Sequence, residues 1–235
     1  MKKKIIISID GFSSSGKSSL AKKLANELNY IHIDTGSMYR AVSFFAIKNQ
    51  FLKRDGSFDK KNIISSLNNI YIEYRIDPIS GINKIQLNGK DIEKDIRSME
   101  VSKGASSIAK LPEVREKLVK LQQKLGKEKG IVVDGRDIGT IVFPKAELKI
   151  FLNSSLLIRA NRRYKEFYKK NFHFTYQQVL NNLFIRDKND VHRKIGPLKK
   201  AHDAIEINNN FMCLEEQFYI VLNLAKKAIN KISLF

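Results

Sequence analysis

The chain has 235 residues, 43% of them hydrophobic, with a single cysteine and a formal net charge of +19. That length holds one core with a modest insertion, and no stretch approaches the roughly 18 consecutive apolar residues of a membrane helix. The lone Cys213 excludes a disulfide framework or zinc cluster and reads as a small buried residue, while the lysines are scattered without an RNA-binding aromatic motif, so no specific nucleic-acid partner is expected.

In chain order, Lys2-Lys3-Lys4 resembles the start of a signal peptide, but the apolar run that follows is too short. Ile5–Ile9 instead reads as a strand leading straight into Asp10-Gly11-Phe12-Ser13-Ser14-Ser15-Gly16-Lys17-Ser18, which matches G-x-x-x-x-G-K-[ST] in full. A helix from Lys17 to Leu28 is expected next, with Leu20, Ala21, Leu24, Ala25 and Leu28 on one face. Strand, loop and helix in that order form a P-loop, whose backbone N–H groups surround phosphate oxygens at the helix N-terminus. Gly11, Ser13, Ser14, Ser15, Gly16, Lys17, Ser18 and Ser19 are therefore the expected triphosphate-binding residues. Lys17 supplies charge for the β- and γ-phosphates, and the Ser18 hydroxyl can ligate Mg²⁺.

Tyr30–Ile33, Ile131–Val133, Leu148–Leu152 and Ala204–Ile207 are four further short apolar runs, separated mostly by helical patterns. The expected fold is α/β: a five-stranded, doubly wound parallel sheet flanked by helices. From about 62 to 96 the rhythm changes to alternating runs around Asn88-Gly89, a hairpin signal that predicts a small inserted antiparallel sheet. Leu214 to Ile232 carries helical spacing and predicts a covering helix.

Polar residues at the carboxyl ends of parallel strands are the ligand-binding candidates. Asp34-Thr35-Gly36-Ser37-Met38-Tyr39-Arg40 follows the second strand, and Asp134-Gly135-Arg136-Asp137-Ile138-Gly139-Thr140 follows the third. Asp134, after three β-branched residues, sits where a carboxylate holds Mg²⁺ or its waters. Arg40 and Arg136 each stand past a strand in an expected Gly-containing turn, suited to gripping phosphate bidentately. Arg159, Arg162 and Arg163 cluster on a predicted helix after the fourth strand, as on a lid closing over a triphosphate or on a solvated basic face.

These runs, with Leu111-Pro112-Glu113-Val114-Arg115, Ile141-Val142-Phe143-Pro144, Arg186-Asp187-Lys188-Asn189-Asp190, Arg193 and Pro197-Leu198, resemble the bacterial cytidylate kinases of the nucleoside monophosphate kinase group. The resemblance spans almost the whole chain. It implies a single kinase domain with a core at about 1–61, 97–153 and 200–235, an inserted CMP-binding subdomain at about 62–96 and a helical lid at about 154–199. It implies transfer of the γ-phosphoryl of ATP to CMP, and to dCMP, with Mg²⁺, in a cytoplasmic monomer without a membrane partner. By the same resemblance Lys17, Arg136, Arg159 and Arg163 are catalytic, and Ser18 and Asp134 face the metal. Thr35, Tyr39, Arg40 and Arg136 surround the CMP phosphate; Ser106, Arg115 and Asp137 read cytosine; Arg186 and Asp190 bind ribose, and Arg193 turns toward phosphate. Another P-loop small-molecule kinase, or a basic RNA-binding P-loop protein, is the alternative. Two departures stand out: Phe12 replaces the usual P-loop proline, and Asn208-Asn209-Asn210 stands where members show Asp followed by Thr or Ser.

Overall fold

The computed structural model of the protein describes residues 3–53, 57–76, 83–169 and 171–233. Lys2 of the leading lysine run, residues 1, 54–56 and 234–235 of the expected core, 77–82 of the expected insert and Lys170 of the expected lid lie outside the described residues. The chain divides into two compact units, one of residues 1–33 with 125–235 and one of residues 34–124.

The first unit holds a five-stranded sheet of β1 (Ile6–Gly11), β2 (Ile31–Asp34, whose last residue opens the second unit), β6 (Ile131–Gly135), β7 (Leu148–Asn153) and β8 (Ile205–Asn208). Their order is β2-β6-β1-β7-β8. The first strand is therefore central, pairing parallel with β6 (Ile7 opposite Val132) and with β7 (Ile7 opposite Leu148). Every residue of β6 is buried, as the continuous apolar run requires. Helix α1 (Lys17–Leu28) lays Leu20, Ala21, Leu24 and Ala25 on this sheet, and α8 (Leu214–Ser233) adds Val221, Leu222 and Ala225 to the same cluster. Each fully buried Leu or Ile there contributes roughly 1.5–3 kcal/mol. Helices α6 (Leu156–Lys169) and α7 (Tyr176–His192) pack on each other in the range expected to be helical. A reciprocal cap starts α7: the Gln178 N–H donates to the Thr175 hydroxyl at 3.2 Å, and the Thr175 N–H to the Gln178 carbonyl at 2.9 Å.

The second unit contains α2 (Thr35–Lys48), α3 (Lys60–Ser65), a sheet of β3 (Ile72–Ile76), β4 (Asn83–Leu87) and β5 (Lys90–Asp91), α4 (Met99–Ile108) and most of α5 (Pro112–Leu125). The three strands are antiparallel in the order β3-β4-β5, and Asn88-Gly89 makes the tight turn between the last two. The expected turn after Asp34 is instead helical. Asp34 caps α2 by accepting from the Ser37 N–H at 3.1 Å, so Arg40 stands on a helix.

Cys213 is exposed rather than buried. It starts α8, its thiol accepting from the Glu216 N–H at 3.4 Å while its own N–H donates to the Glu216 carboxylate at 2.7 Å. Among the described residues no helix is long and apolar enough to cross a membrane.

Candidate active site

The P-loop leaves the central strand where β1 runs out against β7. Gly11 has φ of 147°, and a Cβ there would lie 2.2 Å from the Leu152 carbonyl oxygen, so no other residue fits without moving a strand. Lys17, which opens α1, is 4% exposed, and its Nζ donates to the Phe12 carbonyl at 2.5 Å and to Ser15 Oγ at 3.2 Å. Burial, reinforced by the Arg136 guanidinium, holds this amine well below the ordinary lysine range, against the pull of Asp134, Asp10 and Asp190.

Ser18 Oγ donates to Asp134 Oδ2 at 2.7 Å, and the other oxygen of Asp134 lies 2.7 Å from His32 Nε2. A hydroxyl and a carboxylate side by side, with a histidine fixing the carboxylate, are hard oxygen donors that fit Mg²⁺. That ion takes one or two protein oxygens and completes its shell with phosphate and water. No group of three or more His, Cys, Asp or Glu able to hold a metal occurs among the described residues.

Asp10, the last residue before Gly11, is buried, and its two oxygens accept from the Ile138 and Gly139 N–H groups at 2.8 Å each. It fixes the loop after β6 to the root of the P-loop. Burial raises its pKa to about 6, although both backbone donors oppose the rise.

That loop and α7 assemble an ion-pair network. Arg136 Nε donates to Asp190 Oδ2 at 2.8 Å; Arg193 lies 3.6 Å from Asp190 Oδ1 and 3.2 Å from Asp137 Oδ1. Burial pushes the Asp190 carboxyl up, but Arg136, Arg193 and Arg186 outweigh it and keep the group below its ordinary value. Burial likewise disfavours the Arg136 charge, and the carboxylates of Asp190, Asp187 and Asp134 overcome it.

The three arginines of α6 differ in their surroundings. Arg159 is 4% exposed, donates to the carbonyls of Ser154 (2.8 Å) and Ser13 (3.1 Å), pairs with Asp187 at 2.7 Å and lies 5.0 Å from the Phe12 ring centre. Phe12 thus gives Arg159 an aromatic face. Arg162 donates to the Asn209 carbonyl at 2.7 Å. Arg163, partly exposed, pairs with Glu166 at 2.8 Å and lies 4.3 Å from the Phe167 ring centre.

In the second unit, Asp34 Oδ2 pairs with Arg40 at 2.5 Å, and Ser37 and Tyr74 donate to the Asp34 carbonyl at 2.6 and 2.7 Å. Thr35 is buried on the first turn of α2. Arg115, on α5 and 2% exposed, has its guanidinium carbon 5.8 Å from the Tyr39 ring centre. The Ser106 hydroxyl, on α4, is buried without a hydrogen-bond partner among the described residues. Sequence reasoning had not singled out Asp10 or His32, and it noted Asn209 only within the Asn208-Asn209-Asn210 departure, without its contact to the Ser15 carbonyl. For Asp10 the available signal was a carboxylate at the strand end directly before the P-loop glycine; for His32 it was a polar side chain in an otherwise apolar strand.

The family model described as cytidylate kinase matches residues 7–227. A cytidylate kinase of Flavobacterium psychrophilum is 50% identical over 222 residues, covering 94% of this chain and 98% of the relative. One of Bacteroides fragilis is 48% identical over 227 residues, covering 97% and 99%. A solved structure of an uncharacterized protein from Eubacterium ventriosum aligns with a TM-score of 0.50 at 15% identity, covering 96% of this chain and 99% of that one; this likeness concerns the fold alone.

Proposed function

The chain belongs to the cytidylate kinase family, and from that premise we propose how its own residues serve the reaction. The enzyme transfers the γ-phosphoryl of ATP to CMP, giving ADP and CDP. A CMP phosphate oxygen bonds to the γ-phosphorus as the bond to the departing ADP oxygen breaks, so no protein nucleophile is needed. The work of the protein is positioning and charge stabilisation.

Lys17 exchanges its present partners for phosphate oxygens, and the P-loop N–H groups hold the β-phosphate. Mg²⁺, when bound beside Ser18 and Asp134, would neutralise charge on the β- and γ-oxygens. Arg136 is the acceptor-phosphate residue of this proposal. Arg159, anchored on the Ser13 carbonyl, and Arg163 offset charge on the transferring group. Asp137 accepts from the cytosine N4 amino group, Arg186 and Asp190 take the ribose hydroxyls, and Arg193 faces phosphate. For Thr35, Tyr39, Arg40, Ser106 and Arg115 the proposed CMP contacts stand on the family resemblance, with the partnerless Ser106 hydroxyl in support.

The observation that carries the proposal is the P-loop with a buried Lys17 and with Ser18 hydrogen-bonded to Asp134, together with the Arg136–Asp190–Arg193–Asp137 network that joins the loop after β6 to α7. dCMP is proposed as a second acceptor, because a lost ribose hydroxyl contact can be replaced by water. A cytoplasmic location is part of the same proposal, consistent with the exposed free thiol of Cys213, which a reducing compartment preserves, and a monomer is proposed on the family resemblance alone. A coupled ADP-release assay across the common nucleoside monophosphates tests it. CMP and dCMP should drive turnover far above UMP, AMP and GMP; equal use of UMP would overturn the cytosine assignment.

A further inference from the structure

The Asn208-Asn209-Asn210 run at the end of β8, a departure noted in the sequence, does structural work at the P-loop. Asn209 is fully buried. Its side-chain NH₂ donates to the Ser15 carbonyl and to Gln217 Oε1, both at 2.8 Å. Its side-chain oxygen accepts from Arg162 at 3.3 Å, its backbone carbonyl accepts from the same guanidinium at 2.7 Å, and its N–H donates to the Asn153 carbonyl at 3.0 Å. Gln217 is held in turn on α8, donating to the carbonyls of Met212 (3.2 Å) and Cys213 (3.1 Å). Arg162 adds a longer contact to the Ser15 carbonyl at 3.4 Å.

The Ser15 carbonyl and the Gly16 N–H are the two ends of one planar trans peptide and point in opposite directions. Whatever holds that carbonyl also aims that N–H. Gly16 has φ of 95°, a conformation glycine adopts freely, so nothing intrinsic to the residue fixes the peptide's orientation. We infer that Asn209 is a positioning residue for the donor triphosphate: by gripping the Ser15 carbonyl from behind, it keeps the Gly16 N–H turned to the phosphate side of the P-loop. The position needs both a donor and an acceptor, since the Ser15 carbonyl takes a hydrogen and the facing Arg162 gives one. The amide divides the two tasks between two atoms, whereas a threonine or serine hydroxyl would have to do both with one.

The inference rests on the ATP-donor role of the P-loop, which the wild-type assay tests by itself. The experiment compares N209D, N209A and N209T with wild type in the coupled assay, titrating ATP and CMP separately. Thermal melting and equilibrium binding of ADP to the folded proteins run alongside. N209D sets a carboxylate against the Ser15 carbonyl, and its KM for ATP should rise at least about tenfold, with weaker ADP binding and a CMP KM within about twofold of wild type. N209A, without added charge, should shift the same constants in the same direction, and N209T should recover most of the loss. A residue that only supports the fold would lower the melting temperature and the active fraction while leaving both KM values of the folded enzyme unchanged. That result, or an equal rise in both KM values, overturns the inference. Should N209D fail to fold, N209A and N209T decide between the same outcomes.

Discussion

Replacing Asp190 by Asn keeps the shape of the side chain and removes the charge at the centre of the arginine network. Asp190 is 8% exposed and faces Arg136 at 2.8 Å and Arg193 at 3.6 Å. Removing one partner of a buried ion pair costs about 3–5 kcal/mol; because the amide oxygen still accepts one hydrogen bond, about 2.5 kcal/mol is the expected loss. For a chain of this size that corresponds to a fall in Tm of roughly 5–10 °C at pH 7. The pH dependence supplies the control. The carboxyl of Asp190 is held below its ordinary 3.8 when folded. Its stabilising contribution is therefore fully present above the unfolded value and is lost as pH falls through the lower folded value. Melting curves of wild type and D190N followed by circular dichroism at pH 7 and near pH 3 should show a large gap that narrows in acid. A gap below about 2 °C at pH 7, or one that does not change with pH, would refute the assignment of a charge-based role.

Lys17→Ala should abolish turnover while leaving CMP binding nearly intact, as turnover and a CMP titration of the same preparation will show, because the lysine serves only the triphosphate. Asp10 is predicted to make stability fall with rising pH. The increase from its ordinary 3.8 to about 6 means that ionising it inside the fold costs roughly 3 kcal/mol, absent below pH 4 and complete above pH 6. Urea titrations across that range should find D10N gaining about that much on wild type, and a constant difference would show that burial of the charge is not what matters. Asp137→Asn should shrink the preference for CMP over UMP by about 1–3 kcal/mol, read from kcat/KM for both, since an amide can donate to the uracil O4 and a carboxylate cannot. An unchanged ratio would move the base-reading role away from this residue.

The sheet was legible because its chemistry is local. Five apolar runs became five strands with ends shifted by one or two residues, and Asn88-Gly89 made the expected turn because both residues tolerate the positive φ, 49° and 78°, that it demands. Asp34 was legible as a strand-end carboxylate but not as a helix cap, although Ser37 three residues on supplies the N–H that it accepts. The partners of Arg159 and Arg162 were not legible: Ser13 and Asn209 lie 146 and 47 residues away in sequence. A basic cluster on one helix face looks the same whether it faces solvent or grips the carbonyls of a distant loop. Cys213 was misjudged because a small apolar residue is ordinarily buried, whereas here its sulfur takes the capping position that a hydroxyl usually fills.

The net charge of +19 says little about the site, because the first unit sets Asp10, Asp134 and Asp190 among Lys17, Arg136 and Arg193. Before nucleotide arrives, the arginines are matched with carboxylates, yet Lys17 is hydrogen-bonded to a carbonyl and a hydroxyl, both uncharged. Its burial disfavours the ammonium form, and only surrounding carboxylates favour it. A triphosphate changes this balance at one residue above all: two hydrogen bonds to uncharged oxygens become ion pairs with charged ones. The arginine network starts instead from ion pairs already made, so the acceptor contacts proposed for Arg136, Asp137, Asp190 and Arg193 would share or exchange those pairs. On the proposed roles, phosphoryl transfer gains from that division, since a group that must follow the migrating charge is best left poorly satisfied at rest, while side chains already held by ion pairs meet the acceptor in a fixed orientation.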